Sequence, residues 1–261
     1  MNALIVLAHP EPRSYNSALS AVAERALRAQ RHTVRVSDLY AKRFDPSEHA
    51  RHYPRRKDSR RFSAQSEQRF SAINNILPRE VGREIDLLLW ADFVLFQFPL
   101  WWFGMPAMLK GWMDRVFAYG ALYTSSHRYE TGLLRGKRAM LSVTAGSSES
   151  ACCYNGREGD TSLILWPIHY ALHYVGFTVL EPLLITGVRA HDATVESGAP
   201  NEDLAARVLT LTERLATLDL IPTIRFNGSD DWDHQQKLKP GAPIYSPFIR
   251  HAANLRLDAN Q

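Results

Sequence analysis

Residues 97–117, QFPLWWFGMPAMLKGWMDRVF, decide how this chain is read. The segment leaves an apolar run at 93–98 and enters a helical pattern. The bend between them holds Trp101, Trp102, Phe103, Gly104 and two prolines. Turns run over the surface and favour small polar residues, so this aromatic area needs a cover. A neighbouring element, a second subunit or a flat conjugated ligand would serve, since indole and phenyl faces stack well on ring systems. An aromatic cluster is core more often than site, so the bend alone does not choose among them. Beyond it, Pro106 suits the first turn of a helix. Leu109, Trp112, Met113 and Val116 then repeat at i, i+3, i+4, i+7, an apolar stripe that makes Trp112 a core residue.

Outward from this segment, strands alternate with helices. Residues 2–8 form an unbroken apolar run, the signature of a strand buried on both faces of a parallel sheet. A helical stripe follows over 17–30 and a β-branched alternation, TVRVS, over 33–37. A helix is expected over 79–91, strands over 93–98, 138–144 and 177–185, and helices over 161–175 and 201–218. This order predicts an α/β fold with a doubly wound parallel five-stranded sheet, contained in residues 1–221. Two stretches fall outside the pattern. Residues 41–78 read as an irregular insertion; its centre, RHYPRRKDSRR, carries five Arg and one Lys and is taken as a solvated charge run, not a nucleic-acid site. Residues 222–261 hold Pro240, Pro243 and Pro247, which predict an extended C-terminal tail. Its Trp232, Ile244, Tyr245, Phe248 and Ile249 predict that the tail docks.

Composition narrows the class. At 261 residues, with 45% hydrophobic and 22% charged side chains, the chain is neither disordered nor fibrous. A net charge of +4 is well short of a nucleic-acid-binding footprint. No apolar stretch approaches a membrane span, and the opening MNALIVLAHP reads as a strand, not a signal peptide. The only cysteines, Cys152 and Cys153, are adjacent and cannot staple distant segments, which fits a reducing, cytoplasmic setting.

In an open α/β sheet, ligands bind outside the carboxyl ends of the strands. Three unusual loops meet that edge: AHPEPRSYN, PLWWFGMP and TAGSSESACCYNG. The first lacks G-x-G-x-x-G, so a Rossmann dinucleotide site is not supported. Ser14 and Asn16 precede the first helix, where they serve either as N-caps or, with free backbone N–H groups, as phosphate ligands. Thr144, Gly146, Ser147 and Ser148 let backbone amides approach a ligand closely. Together the loops offer a phosphate grip, an aromatic platform and an amide-lined edge, the three needs of a flavin nucleotide.

AHPEPRSYN, QFPLWWFGMPAMLKGWMDRVF, LSVTAG and ILWPIHYALHYVGFTVLEP together resemble the FAD-dependent NAD(P)H:quinone reductases of the DT-diaphorase type, which have a flavodoxin-like fold. The similarity spans residues 1–218. It implies a homodimer with FAD rather than FMN, NADPH or NADH as hydride donor, a quinone acceptor and a ping-pong sequence. By motif position, His9, Ser14, Tyr15 and Asn16 would hold the pyrophosphate and adenosine side. Pro99, Leu100, Trp102 and Phe103 would line the isoalloxazine ring, with Thr144 and Gly146 at its pyrimidine edge; Ser147 would also bind the cofactor, and Tyr123 would reach the substrate pocket.

The chain departs from that pattern where the family has a Tyr and a His that stabilise charge on the reduced ring. Cys152 and Glu158 stand there, and Tyr154 or Arg157 would have to substitute. Ser125 replaces a second pocket aromatic. One family member binds zinc through a pair like His169 and His173 plus a cysteine; no third ligand is evident here, and no metal is expected. Two other readings are compatible with the sequence: a regulatory flavoprotein that partners a transporter, and an FMN-dependent azo- or nitroreductase.

Overall fold

A computed structural model of the chain describes residues 1–188, 202–246 and 248–252. Its centre is a parallel sheet of β1 (Asn2–Leu7), β2 (Thr33–Asp38), β3 (Phe93–Pro99), β4 (Arg138–Thr144) and β5 (Thr178–Val179), in the order β2-β1-β3-β4-β5. A short β6 (Leu183–Ile185) also pairs with β4. This is the flavodoxin-like, doubly wound arrangement, with six helices: α1 (Tyr15–Ala29), α2 (Ala64–Ile73), α3 (Arg79–Trp90), α4 (Ala107–Val116), α5 (Thr161–Tyr174) and α6 (Glu202–Ala216). Asn201, where the last helix was expected to start, lies outside the described residues, as do Pro247 and residues 253–261 of the tail.

The apolar runs form strands because alternate side chains enter two cores. Leu4, Val6, Val94, Phe96, Phe98, Leu141 and Val143 pack with Leu88 of α3, Trp112 of α4 and Leu165 and Leu172 of α5. Ala3, Ile5, Phe93, Leu95 and Met140 pack on the opposite face with Leu19, Val22 and Leu27 of α1 and Leu211 and Leu215 of α6. The period of two, buried on both sides, is why these strands show no polar face. Trp112 is fully buried as expected, and its indole N–H donates to Glu84 at 3.0 Å.

Three features differ from the expectation. The strand expected over 177–185 is two strands, because Pro182 cannot donate to the ladder and Glu181 turns its N–H to Pro222. The insertion is not wholly irregular: it contains α2, whose buried face is polar, made of Glu67, Gln68 and Ser71. Glu67 accepts from the backbone of Lys57 (2.8 Å) and the Arg56 guanidinium (3.1 Å), so part of the Arg-rich run is folded onto this helix. The tail docks through residues other than those expected and extends the sheet: Thr223 bridges Leu180 antiparallel, and Ile224 donates to Val179 at 2.8 Å, whereas Ile244, Tyr245 and Phe248 are exposed and Ser229–Asp231 form a short 3-10 helix. Phe226 then stacks on His173 with ring centres 4.2 Å apart and planes within 3°.

Candidate active site

The loop after β3 is a two-residue reverse turn. Trp101 and Gly104 exchange backbone hydrogen bonds of 3.0 Å, and Trp102 and Phe103 between them take φ of +50° and +58°. Successive positive φ values define a type I′ turn, which Asn-Gly ordinarily fills. For Trp and Phe the left-handed conformation costs about 1–2 kcal/mol per residue. The turn leaves its aromatic side chains open: Trp102 is 96% exposed and Phe103 56%. Among the described residues none covers them, so that part of the chain does not plug the bend.

Facing the turn is the loop after β4. Leu100 N–H donates to Thr144 O at 2.7 Å, tying the two loops at the sheet edge. Behind the second loop, Ala145 donates to Ile185 O (2.8 Å) and Gly187 to Ser147 O (2.7 Å), so its course is set by the residues of and after β6. A cavity of about 290 Å³ lies between the loops. Leu100, Trp102 and Phe103 line one side, Gly146, Ser147, Cys152 and Glu158 the other, and Thr161 and Ile164 of α5 close it. Among the described residues, the N–H groups of Trp102, Phe103, Gly146 and Ser147 have no acceptor within the chain. Unpaired donors around an aromatic-walled cavity are what a planar ligand with ring nitrogens and carbonyls would satisfy.

The third loop joins through His9, whose ring lies tilted against Trp101 with centres 5.7 Å apart. Half-burial pushes the His9 pKa down, so the ring is neutral near pH 7. Its Nδ1 lies 3.1 Å from Glu11 N and 3.3 Å from Glu11 O, so the Glu11 backbone fixes the orientation of the ring. Ser14 is the N-cap of α1, its hydroxyl accepting from Ser17 N–H at 3.2 Å. Tyr15 is buried.

The Asn16 side chain is not offered outward. It is 3% exposed, donates to Thr144 Oγ1 at 2.9 Å and accepts from Gln97 Nε2 at 2.8 Å. Asn16, Gln97 and Thr144 thus form a buried polar knot beneath the point where the three loops leave the sheet. Pro99 ends β3 just above it. Gln97 was not among the expected site residues, although it is the one polar side chain in FVLFQFP.

Of the candidates for chemistry, only Glu158 lines the cavity. Tyr154 is 83% exposed and Arg157 is exposed; neither is part of the lining. Tyr123 lies elsewhere, its ring against Tyr119 (5.3 Å) and Tyr174 (5.4 Å) and its hydroxyl accepting from Gln65 at 3.4 Å. Cys152 is buried and its thiol pKa is pushed up by that burial; Cys153 donates to Ser150 O (3.0 Å) and Asn155 Oδ1 (3.1 Å). His169 is buried and His173 is stacked, and no group of three or more His, Cys, Asp or Glu is gathered for a metal among the described residues.

With this geometry in place, the chain can be set beside known proteins. Residues 1–208 match a family model described as a flavodoxin-like fold. NAD(P)H dehydrogenase [quinone] 1 of Cavia porcellus is 43% identical over 188 residues, 71% of this chain and 68% of that protein. A ribosyldihydronicotinamide dehydrogenase-like protein of Penicillium crustosum is 37% identical over 243 residues, 90% of this chain and 87% of its own length. Among solved structures, a Klebsiella pneumoniae protein named as a candidate quinone reductase superposes with a TM-score of 0.82 at 36% identity, covering 92% of this chain and 94% of that one. The chain therefore belongs to the flavodoxin-like family and, within it, to the quinone-type NAD(P)H dehydrogenases.

Proposed function

We propose that this chain is an FAD-dependent NAD(P)H:quinone oxidoreductase that passes two electrons as hydride in a ping-pong sequence. The observation that carries this reading is the left-handed Trp102–Phe103 turn, held open beside a cavity rimmed by four unpaired backbone donors. A flavin bound there supplies the centre that takes hydride from NAD(P)H and delivers it to the acceptor. The chain's own work is binding, orientation and electrostatics. Trp102 and Phe103 would hold the ring, with their N–H groups free to donate to it. Gly146 and Ser147 would present further N–H dipoles, which favour negative charge in the cavity. This pair takes the part that neither Tyr154 nor Arg157 is positioned to fill. Glu158 lines the same space and sets its polarity.

FAD is taken over FMN from the family resemblance, and the start of α1 suits the phosphate groups that either would carry. The His9 ring and the backbone N–H of Asn16, at the positive end of the 15-residue α1, stand where phosphate groups would be held. The side chains of Ser14, Asn16 and Thr144 brace the loops instead of reaching outward. The open face over Trp102 is read as the contact of a homodimer, in which Tyr123 serves the partner's pocket. A cytoplasmic setting accords with the free, adjacent Cys152 and Cys153.

The test is direct. Protein purified without added cofactor is expected to be yellow, to release FAD on heat denaturation, and to reduce menadione with NADPH or NADH along parallel double-reciprocal lines. Colourless protein that takes up neither FAD nor FMN refutes the reading. Release of FMN transfers the assignment to the azo- or nitroreductase class.

A further inference from the structure

A second cavity, of about 600 Å³, opens outside the carboxyl end of β2, bounded by the segment 42–52 and by α3. It shares no lining residue with the space between the aromatic turn and the β4 loop. We infer that this cavity is a binding site for a small organic phosphomonoester, gripped by Arg43 and Arg83 with its apolar part against Phe44.

Charge decides the sign of the ligand. Each carboxylate in the wall already has a cation. Lys42 Nζ lies 2.6 Å from Glu84, which also accepts from Ser37 (2.7 Å) and the Trp112 indole (3.0 Å). Arg51 lies 2.6 Å from Asp45, to which His52 also turns Nε2 at 3.0 Å. The fully buried Arg115 lies 2.6 Å from Glu80 and donates to Asp45 O at 2.7 Å. Glu48, outside the lining, is held by Tyr53 (3.0 Å) and Gln68 (2.9 Å). Among the described residues Arg43 and Arg83 have no acid partner, and the lining sets four cationic side chains against three carboxylates, one of which, Glu80, is already matched by Arg115 from outside it. Two uncommitted guanidinium forks on different elements match a dianion that accepts from both sides.

Size and backbone point the same way. The cavity lies within the range of small-molecule sites and is far larger than inorganic phosphate needs. Phe44 gives it an apolar wall, extended by the aliphatic stems of Lys42, Arg51 and Arg83. Arg43 sits at φ +51°, held there by Arg43 N–H to Tyr40 O (2.9 Å) and Phe44 N–H to Leu39 O (3.0 Å). A turn of this kind is ordinarily served by Gly or Asn. Arg at this position is costly for the fold, which is expected where a side chain is retained for a ligand.

The experiment uses the flavin-saturated protein, so that the other phosphate-accepting loop is already filled. Titration calorimetry with phenyl phosphate, inorganic phosphate and phenol is run on the parent, Arg43→Gly, Arg83→Ala and, as a control on exposed α1, Arg25→Ala. The parent and the control are expected to bind phenyl phosphate with a sub-millimolar Kd and at least tenfold more tightly than inorganic phosphate or phenol. Arg43→Gly and Arg83→Ala should each weaken it at least tenfold. Glycine suits the positive φ, so Arg43→Gly should melt no lower than the parent, which separates lost contact from lost fold. Absence of binding to the parent, equal affinity for phenyl and inorganic phosphate, or unchanged affinity in either arginine variant overturns the proposal. None of these results bears on flavin content or quinone turnover.

Discussion

Replacing Asn16 with Ala tests whether the knot beneath the three loops holds the site together. The substitution removes the partner of two buried groups, Gln97 Nε2 and Thr144 Oγ1, for which the described residues provide no other hydrogen bond. Gln97 is fully buried and Thr144 is 3% exposed, so water does not readily replace the lost amide. Each stranded group costs about 1–3 kcal/mol. Alanine's better helix propensity in the first turn of α1 returns about 0.5 kcal/mol. The net loss is about 3 kcal/mol, which for a chain of this length lowers the melting temperature by about 6 °C. Thermal unfolding of the flavin-free protein by far-UV circular dichroism measures it. Thr144→Ala alone should cost less than Asn16→Ala, and the double variant should fall short of the sum by at least about 1 kcal/mol, because the two residues share one bond. An Asn16→Ala protein melting within about 2 °C of the parent, or strict additivity with Thr144→Ala, would show that the knot contributes nothing and that the loops are positioned by other means.

Trp102→Gly relieves a left-handed backbone and removes little buried area, so the flavin-free protein should melt at or above the parent temperature. Flavin affinity should fall at least tenfold, read by fluorescence titration, and loss of stability with retained affinity would contradict the platform role. In α4, a Cβ at Gly111 would meet Pro46 O at 2.1 Å, a backbone contact that no rotamer relieves. Gly111→Ala should therefore destabilise by about 3 kcal/mol in urea unfolding and loosen the insertion from α4. His169 is buried without a partner for Nε2, and burial lowers its pKa from 6.5 to about 4. The unfolded chain therefore binds a proton between those values while the folded chain does not. Stability from this residue is intact above pH 6.5, falls as pH drops, and is lower by about 3 kcal/mol at pH 4, with no further loss below. Urea midpoints at pH 7 and pH 5 should show the slope, and His169→Gln should flatten it.

The sheet could be read from sequence because β1, β3 and β4 are apolar on both faces, and because each apolar run is followed by a helical stripe. The aromatic turn was visible as an anomaly of composition, but its left-handed geometry was not: a Trp-Phe pair carries none of the Gly or Asn marks of a type I′ turn. α2 escaped notice for a related reason. Its buried positions, Glu67, Gln68 and Ser71, are polar, so an apolar-periodicity argument sees nothing. Ser14 was placed correctly at the helix start, because capping is a local property. The knot below it is not local. Asn16 meets Gln97 and Thr144 across separations of 81 and 128 residues, which no window over the sequence spans. Arg43 and Arg83 come together through the same kind of long-range closure, one following β2 and one on α3.

The short antiparallel pairing of Thr223 with Leu180 gives the segment past α6 a protective duty. β5 is the last strand in the sheet order, and its outer rim would otherwise show unpaired amides and carbonyls, an invitation to intermolecular β-pairing. Ile224 occupies part of that rim, and Phe226 clamps the segment onto α5 through His173. A polypeptide ending at residue 221 would keep α1 to α6 and β1 to β6, yet leave a raw border ready to recruit another copy.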